Sequence, residues 1–452
     1  MTFGVDCIRD AIESGVPSTI ATCAADGTPN VTFVSQVEYV DPQHVALTFQ
    51  FFNKTRENIL ANPLARVYVT DSGTGASYWL TLRYLRTEFE GPLFERMKAR
   101  LAGIASQTGM SGIFRLKGSD IYQVLHIDTI PGIVLQPPPP RRNLLAALRD
   151  ASCRIAACDS FDSLLDETLL RLQQCFDIHH AMLLMLDECK NRLYTVASCG
   201  YDESGIGSEI ALGDGVIGVA AEQRTPIRIS HMTSEYAYSR AVRRTVQQGG
   251  FDDLLQTEIP FPGLAEAHSQ LAVPILGGTR LLGVLYVESP VPDRFCHADE
   301  DAILTLAAQL SSAIQRQQDA VQQDEESAAV EGPLPTAACG SAVNIRHYAE
   351  NDSVFIGEDY LIKGVAGAVI WRMLAEFAGD GRTEFTNREL RLDPALRLPD
   401  FSDNLEARLT LLNRRLAERC NFLRLHKTGR GRYRLEVQRP VKLVEIAKTA
   451  LA

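Results

Sequence analysis

Few residue groups in this chain have the types and spacing that chemistry requires. The most prominent is Gly213-x-Gly215-x-x-Gly218 within Leu212–Ile229. As a bare pattern it is the dinucleotide fingerprint, whose glycines let the backbone turn closely around a pyrophosphate at a helix start. That fingerprint needs a buried strand before it, a long helix after it and an acid about 20 residues on. Here Glu209–Leu212 is short, the helix is expected to stop at Arg224-Thr225-Pro226, and Tyr238 and Ser239 stand where the acid would. A strand is expected at once, over Ile227–Ile229. The glycines therefore read as a tight turn beside a sheet. The ten cysteines include no Cys-x-x-Cys pair, which points to buried, reduced thiols rather than zinc. No convincing Ser-His-Asp or Cys-His catalytic cluster and no Gly-x-x-x-x-Gly-Lys is present, and His126, isolated on a strand, reads as structural rather than as a haem ligand.

Two groups have the chemistry of anion binding. Lys54, Thr55 and Arg56, with Asn58 near, offer cations, a hydroxyl and backbone N–H groups at a helix start, which suit a phosphate. The other lies near the C-terminus. The whole chain carries a net charge of −11, which speaks against nucleic acid, yet between Arg408 and Lys442 there are 11 lysines and arginines against only Glu418 and Glu436. A local basic patch says more than the overall sign.

These groups need domains to position them. At 452 residues, 45% hydrophobic and 22% charged, the chain is long enough for about three globular domains. No apolar run is long enough for a membrane span, and the N-terminal residues have acids and no apolar core, so the expectation is a cytoplasmic protein without a secretory leader. The expected class is multidomain α+β. Residues 1–130 are strand-rich, with a hairpin about Asp26-Gly27-Thr28-Pro29, a turn at Asp41-Pro42, and a short helix from Lys54 stopped by Pro63. Residues 131–142 hold a four-proline run and read as a stiff linker. Residues 143–318 alternate helices and strands, among them an expected helix over 240–248. Residues 319–344 are polar and read as a tether. Residues 345–445 carry a hairpin, three helices and a basic hairpin.

The first domain resembles the FMN-binding split barrel of the pyridoxamine-phosphate-oxidase-like superfamily, through its Asp-Gly-x-Pro hairpin and Lys-Thr-x-x-Asn-x-x-x-Asn-Pro segment. The resemblance implies an antiparallel split β-barrel with FMN as cofactor. Lys54, Thr55, Arg56 and Asn58 would lie at its phosphate, and Val34 and Ser35 at its ring. The arginine- and tryptophan-rich C-terminal segment of the true oxidases is missing.

The middle domain resembles a GAF sensor, an α/β sandwich, through Leu212–Ala220, Thr225-Pro226-Ile227, Leu271–Ile275 and Leu282–Leu285. It implies a small-molecule ligand of unknown identity. Glu288-Ser289 stands where cyclic-nucleotide relatives carry Asn-Lys, and Cys296-His297 lies at the last helix, away from a bilin attachment site. Asp299-Glu300 read as helix openers. In that last helix Ile303, Leu306, Leu310, Ile314, Gln317 and Val321 form a coiled-coil-like seam, which suggests a homodimer.

The last domain resembles the winged-helix output domain of response-regulator transcription factors, through Arg414-Arg415-Leu416 and Lys427–Leu435. It implies DNA as a partner, contacted through Arg408, Arg414, Arg415, Arg419, Lys427, Arg430 and Arg432. A longer proline-bounded loop over Leu392–Asp400, and no receiver domain before it, depart from that family. The leading expectation is a sensory regulator of transcription. Its rivals are a flavin-dependent oxidoreductase regulated by the middle domain, and a non-catalytic scaffold.

Overall fold

The computed structural model describes residues 4–50 except 14, 15 and 17, 54–107 except 72, 115–136, 142–229, 259–324, 341–396 except 395, and 405–446. The expected helix over 240–248 and the proline run lie outside the described residues, as does most of the loop after Leu392.

The first domain begins with a short helix, α1 (Arg9–Ile12). Its sheet has seven strands: β1 (Ser18–Cys23), β2 (Pro29–Val34), β3 (Val37–Asp41), β4 (His44–Phe49), β5 (Leu64–Thr70), β6 (Ser77–Glu88) and β7 (Gly118–Thr129). They are ordered β2-β1-β5-β6-β7-β4-β3, and every neighbour is antiparallel. The β1–β2 turn is set by Gly27 at φ +89°, with Asp26 accepting from the Thr28 N–H at 2.9 Å. Alternating Ile20, Val45, Leu47, Val67, Leu80 and Leu82 make the core. Helix α2 (Lys54–Ala61) stops before Pro63, as expected. Helix α3 (Pro92–Gln107) was not legible in the barrel-like reading; its Met97 packs on Ala46 and Ile121.

The middle domain has a six-stranded antiparallel sheet, ordered β10-β9-β8-β13-β12-β11. Its strands are β8 (His180–Asp187), β9 (Arg192–Cys199), β10 (Glu209–Ala211), β11 (Ile227–Ile229), β12 (Ser269–Gly277) and β13 (Arg280–Ser289). Both faces are buried, because alternate residues serve two cores. Leu183, Met185, Val273 and Leu285 join α4 (Leu144–Ala156), α5 (Phe161–Phe176) and α7 (His297–Asp324). Met182, Leu184, Ala272 and Tyr286 face α6 (Gly215–Gln223).

One expectation needs correction here. The apparent dimer seam on α7 is not free: Ile303, Leu306, Leu310 and Ile314 are at most 1% exposed and belong to the domain's own core, and Gln317 donates to the Cys158 carbonyl at 3.4 Å. A helix that covers its own sheet shows the same three-and-four spacing as a coiled-coil strand. The side chain of Val321 lies outside the described residues.

The last domain opens with β14 (Val343–Tyr348), β15 (Ser353–Ile356) and β16 (Asp359–Ile362), then α8 (Gly364–Asp380). After β17 (Glu384–Thr386), Thr386 caps α9 (Asn387–Leu392) in a reciprocal capping box with Glu389. Helix α10 (Leu405–Arg419), β18 (Leu423–Gly429) and β19 (Arg432–Val437) follow. The final strand, β20 (Val441–Ile446), pairs in parallel with β14, Val343 opposite Val441. This closes the domain's ends on each other.

The domains are joined by buried charge. Arg228 of β11, 6% exposed, donates to Glu300 of α7 at 2.7 Å and pairs with Glu13, just after α1. Glu13 also takes Arg9 at 2.9 Å and lies 3.7 Å from Arg100 of α3. Arg9 reaches Asp301 at 3.0 Å, and His297 lies 2.7 Å from Asp10. The acidic start of α7 thus serves as a dock for the first domain besides complementing the helix dipole.

Candidate functional site

The first candidate site is a cavity in the first domain, where β2, β4, β7 and α2 meet. It is lined by Val34 and Ser35 and, from the helix, by Thr55 and Arg56; Phe33, Gln50 and Asp120 complete its rim and floor. Four of the six expected cofactor residues therefore converge. The other two stand differently. Lys54 is half-exposed, 3.6 Å from Glu57, and Asn58 is buried, donating to Thr22 at 3.1 Å. Asn58 is therefore a strut beneath the helix start.

The polar groups are already partly engaged. Arg56 pairs with Asp120 and its guanidinium stacks 4.6 Å from the Phe49 ring centre. Asp120 also accepts from Thr87, and burial raises its carboxyl above the usual range against the pull of Thr87 and Arg56. Thr55 accepts from the Asn30 amide at 2.9 Å. Thr48 and Gln50 each have a buried side-chain oxygen without a hydrogen-bond partner, and both line the cavity. Buried polar atoms left so cost roughly 1–3 kcal/mol each, which a polar ligand or water would relieve. The cavity holds about 80 Å³. Pockets that enclose a whole ligand run to roughly 300–1,000 Å³. It therefore has room for a small anionic end, and a ring system would lie on the open lip beside Phe33, itself 77% exposed.

The second candidate is the interior of the middle domain. The glycine segment is the turn the sequence suggested. Gly213 and Gly215 have φ of +78° and +61°, α6 ends at Arg224 in the left-handed region, and β11 follows. Gly218 has a packing role: a Cβ there would stand 2.3 Å from the Ala211 carbonyl oxygen. Across the same face Glu288, 1% exposed, accepts from Tyr286 at 2.8 Å and from the Leu264 N–H at 2.9 Å. The Tyr201 hydroxyl is buried beside Glu288, and burial, followed by the Glu288 charge, raises it strongly. Cys296 and His297 lie away from this interior: Cys296 contacts Asp299 at the start of α7, and His297 lies 2.7 Å from Asp10 of the first domain.

The third candidate is the basic helix α10 and its hairpin. The seven expected nucleic-acid contacts divide into two sets. Arg408, 6% exposed, pairs with Asp187 of β8 at 2.8 Å and stacks 4.0 Å from the Tyr194 ring centre. Arg414 donates to Asp162 and Asp166 of α5 at 2.7 and 2.6 Å. Arg415, 3% exposed, donates to the Leu361 carbonyl at 3.1 Å and pairs with Glu418; burial lowers its pKa against that pull. These three are expected from the sequence to face DNA; in the structure Arg408 and Arg414 face the middle domain and Arg415 faces inward. The second set is nearer solvent. Arg419 and Arg430 are exposed, Arg432 is half-buried and Lys427 pairs with Glu406.

Among the described residues, no group of three or more His, Cys, Asp or Glu could hold a metal, and no helix is long and apolar enough to cross a membrane.

Residues 158–315 match the family model of the GAF domain. Solved structures similar to parts of the chain include the GAF domain of an Acinetobacter phosphoenolpyruvate-protein phosphotransferase, 21% identical over 41% of this chain and 97% of that one, with a TM-score of 0.30. Another is the free methionine-R-sulfoxide reductase of Neisseria meningitidis, 17% identical over 39% of this chain and 91% of that one, TM-score 0.30. A third is an FMN-binding protein of Syntrophomonas wolfei, 17% identical over 28% of this chain and 86% of that one, TM-score 0.25. No curated protein matches. Residues 158–315 of the middle domain are thus a GAF domain.

Proposed function

We propose that this chain is a signal-sensing regulator in which a flavin-type split barrel and a GAF domain set the state of a winged-helix output that binds DNA. The observation that carries this reading is the seat of α10. The helix that would enter a groove touches the GAF sheet through Arg408, Asp187 and Tyr194. Asp187 closes β8, whose Met182 and Leu184 face the α6 side of the sheet. A ligand that repacks that side acts on the strand holding the output helix, which supplies the differential contact a population shift needs.

In the first domain, the Lys54–Arg56 segment would take the phosphate of FMN, Thr55 and Arg56 from within the cavity and Lys54 from its edge. Val34 and Ser35 would lie under the ring, and bound flavin would add sensitivity to redox state. This chain's residues orient the group and screen it from water on one side only. Purified protein is expected to show flavin absorbance near a 1:1 ratio, and Arg56→Ala, which removes the cation at the cavity wall, is expected to lose at least tenfold in FMN affinity. A colourless protein that takes up no FMN in a titration would remove flavin from the reading and leave the GAF domain as the sensor.

A further inference from the structure

We infer that the GAF domain keeps the output helix masked, with Asp162, Asp166 and Asp187 occupying the guanidinium groups that a nucleic-acid backbone would otherwise contact; this rests on the DNA-binding reading above. Helix α10 is enclosed on two sides. Leu405, Leu409, Leu412 and Leu416, at helical spacing, are each at most 1% exposed, and the helix packs on α8, β16 and β18 of its own domain. Its other side meets α5 and β9 of the GAF domain. There Leu411 is 4% exposed and approaches Gly207, Arg408 reaches Asp187, and Arg414 sits between Asp162 and Asp166.

The choice of partners matters. A planar guanidinium pairs with carboxylate and phosphate through the same N–H edges, so an aspartate that holds it excludes a phosphate. Asp162 and Asp166 are four apart on α5, one turn, and present two carboxylates in a row to a single arginine. An isolated solvated arginine would have neither those partners nor the burial of Arg408.

The three contacts differ in strength. Asp162 and Asp166 are 52% and 64% exposed in their side chains, so their pairs with Arg414 are screened and weak. Asp187 and Arg408 are each 6% exposed in their side chains. Removing one partner there strands the other charge in the interface. Asp187 is therefore the principal latch. Arg419, at the end of α10, and Arg430 and Arg432 of the hairpin lie outside it, so the masked form would meet a duplex through these alone.

The test uses the full chain as wild type, Asp187→Asn and Asp162→Asn/Asp166→Asn. The last pair changes only exposed positions and guards against misfolding of the first. Hydrogen exchange of residues 405–419 reads the latch, and binding to a random-sequence duplex across a salt series reads the masking. Exchange of α10 is expected to speed up at least tenfold in Asp187→Asn and by a smaller factor in the double variant. Duplex affinity is expected to rise at least tenfold, with a salt slope steeper by about 2, as Arg408 and Arg414 gain phosphates. Unchanged exchange in both variants would overturn the latch. Faster exchange with affinity and slope equal to wild type would overturn the masking. Faster exchange with no duplex bound by any of the three would support the latch while overturning DNA as the output.

Discussion

Replacing Arg228 with methionine is expected to lower the unfolding free energy by about 3–5 kcal/mol, the typical consequence of stranding a buried carboxylate. Arg228 lies between Glu13 of the first domain and Glu300 of the GAF domain and also donates to the Phe295 carbonyl at 3.3 Å. Methionine keeps the apolar stem and removes every donor. Urea denaturation at neutral pH reads the loss, with Arg192→Met as a control. Arg192 is half-exposed and 3.8 Å from Glu209, so its loss is expected to stay within about 0.5 kcal/mol.

The same cluster sets a pH dependence. Burial alone would raise the Glu13 carboxyl, but Arg100, Arg228 and Arg9 outweigh it and bring it from 4.5 down to about 2. A carboxyl depressed on folding stabilises the protein above its unfolded pKa and loses that contribution as the pH falls through the folded one. Wild type should therefore lose this contribution between about pH 4.5 and 2. In Arg228→Met, with one cation fewer, the loss should begin at higher pH.

The second large effect is expected at Gly218. Alanine there would bring Cβ to 2.3 Å from the Ala211 carbonyl oxygen and 3.1 Å from the Gly213 nitrogen, and both are backbone atoms with no rotamer to yield. A loss of about 1–3 kcal/mol follows from overpacking of this kind. At Gly215 a Cβ meets nothing within 4 Å, and only its φ of +61° resists substitution, at about 1–2 kcal/mol. Thermal unfolding of Gly218→Ala and Gly215→Ala should rank them in that order, without any effect on nicotinamide binding. A tight nicotinamide complex lost in Gly215→Ala would restore the dinucleotide reading.

Local pattern carried much of this structure. Alternation marked β1 and β2, the Asp26-Gly27 turn marked their hairpin, and the continuous apolar runs Leu271–Ile275 and Leu282–Leu285 marked β12 and β13. The glycine turn was legible because Pro226 and the short α6 leave no room for a long helix. Four of the six residues expected at a cofactor share one cavity because they come from two short segments, Val34–Ser35 and Thr55–Arg56, that β2 and α2 bring together.

What the sequence concealed depends on partners far along the chain. Nothing near Arg414 says that Asp162 and Asp166 will face it, 252 and 248 residues away. Arg408 looks like any arginine on an amphipathic helix until Asp187 stands opposite. The parallel pairing of β14 with β20 is equally remote, since Val343 and Val441 belong to opposite ends of the domain. The seam on α7 misled for another reason, because the spacing gives the apolar stripe but not the surface that covers it.

The most direct test of a sensor wired to its output is a double-mutant cycle on Asp187 and Arg408, with Asp187→Leu, Arg408→Met and the two together. Each single change should cost about 3–5 kcal/mol, because each leaves a charge buried in the interface, whereas the pair, replaced by apolar groups, should come close to wild type. Losses that simply add, with no coupling between the sites, would contradict the docking of α10 on the GAF domain.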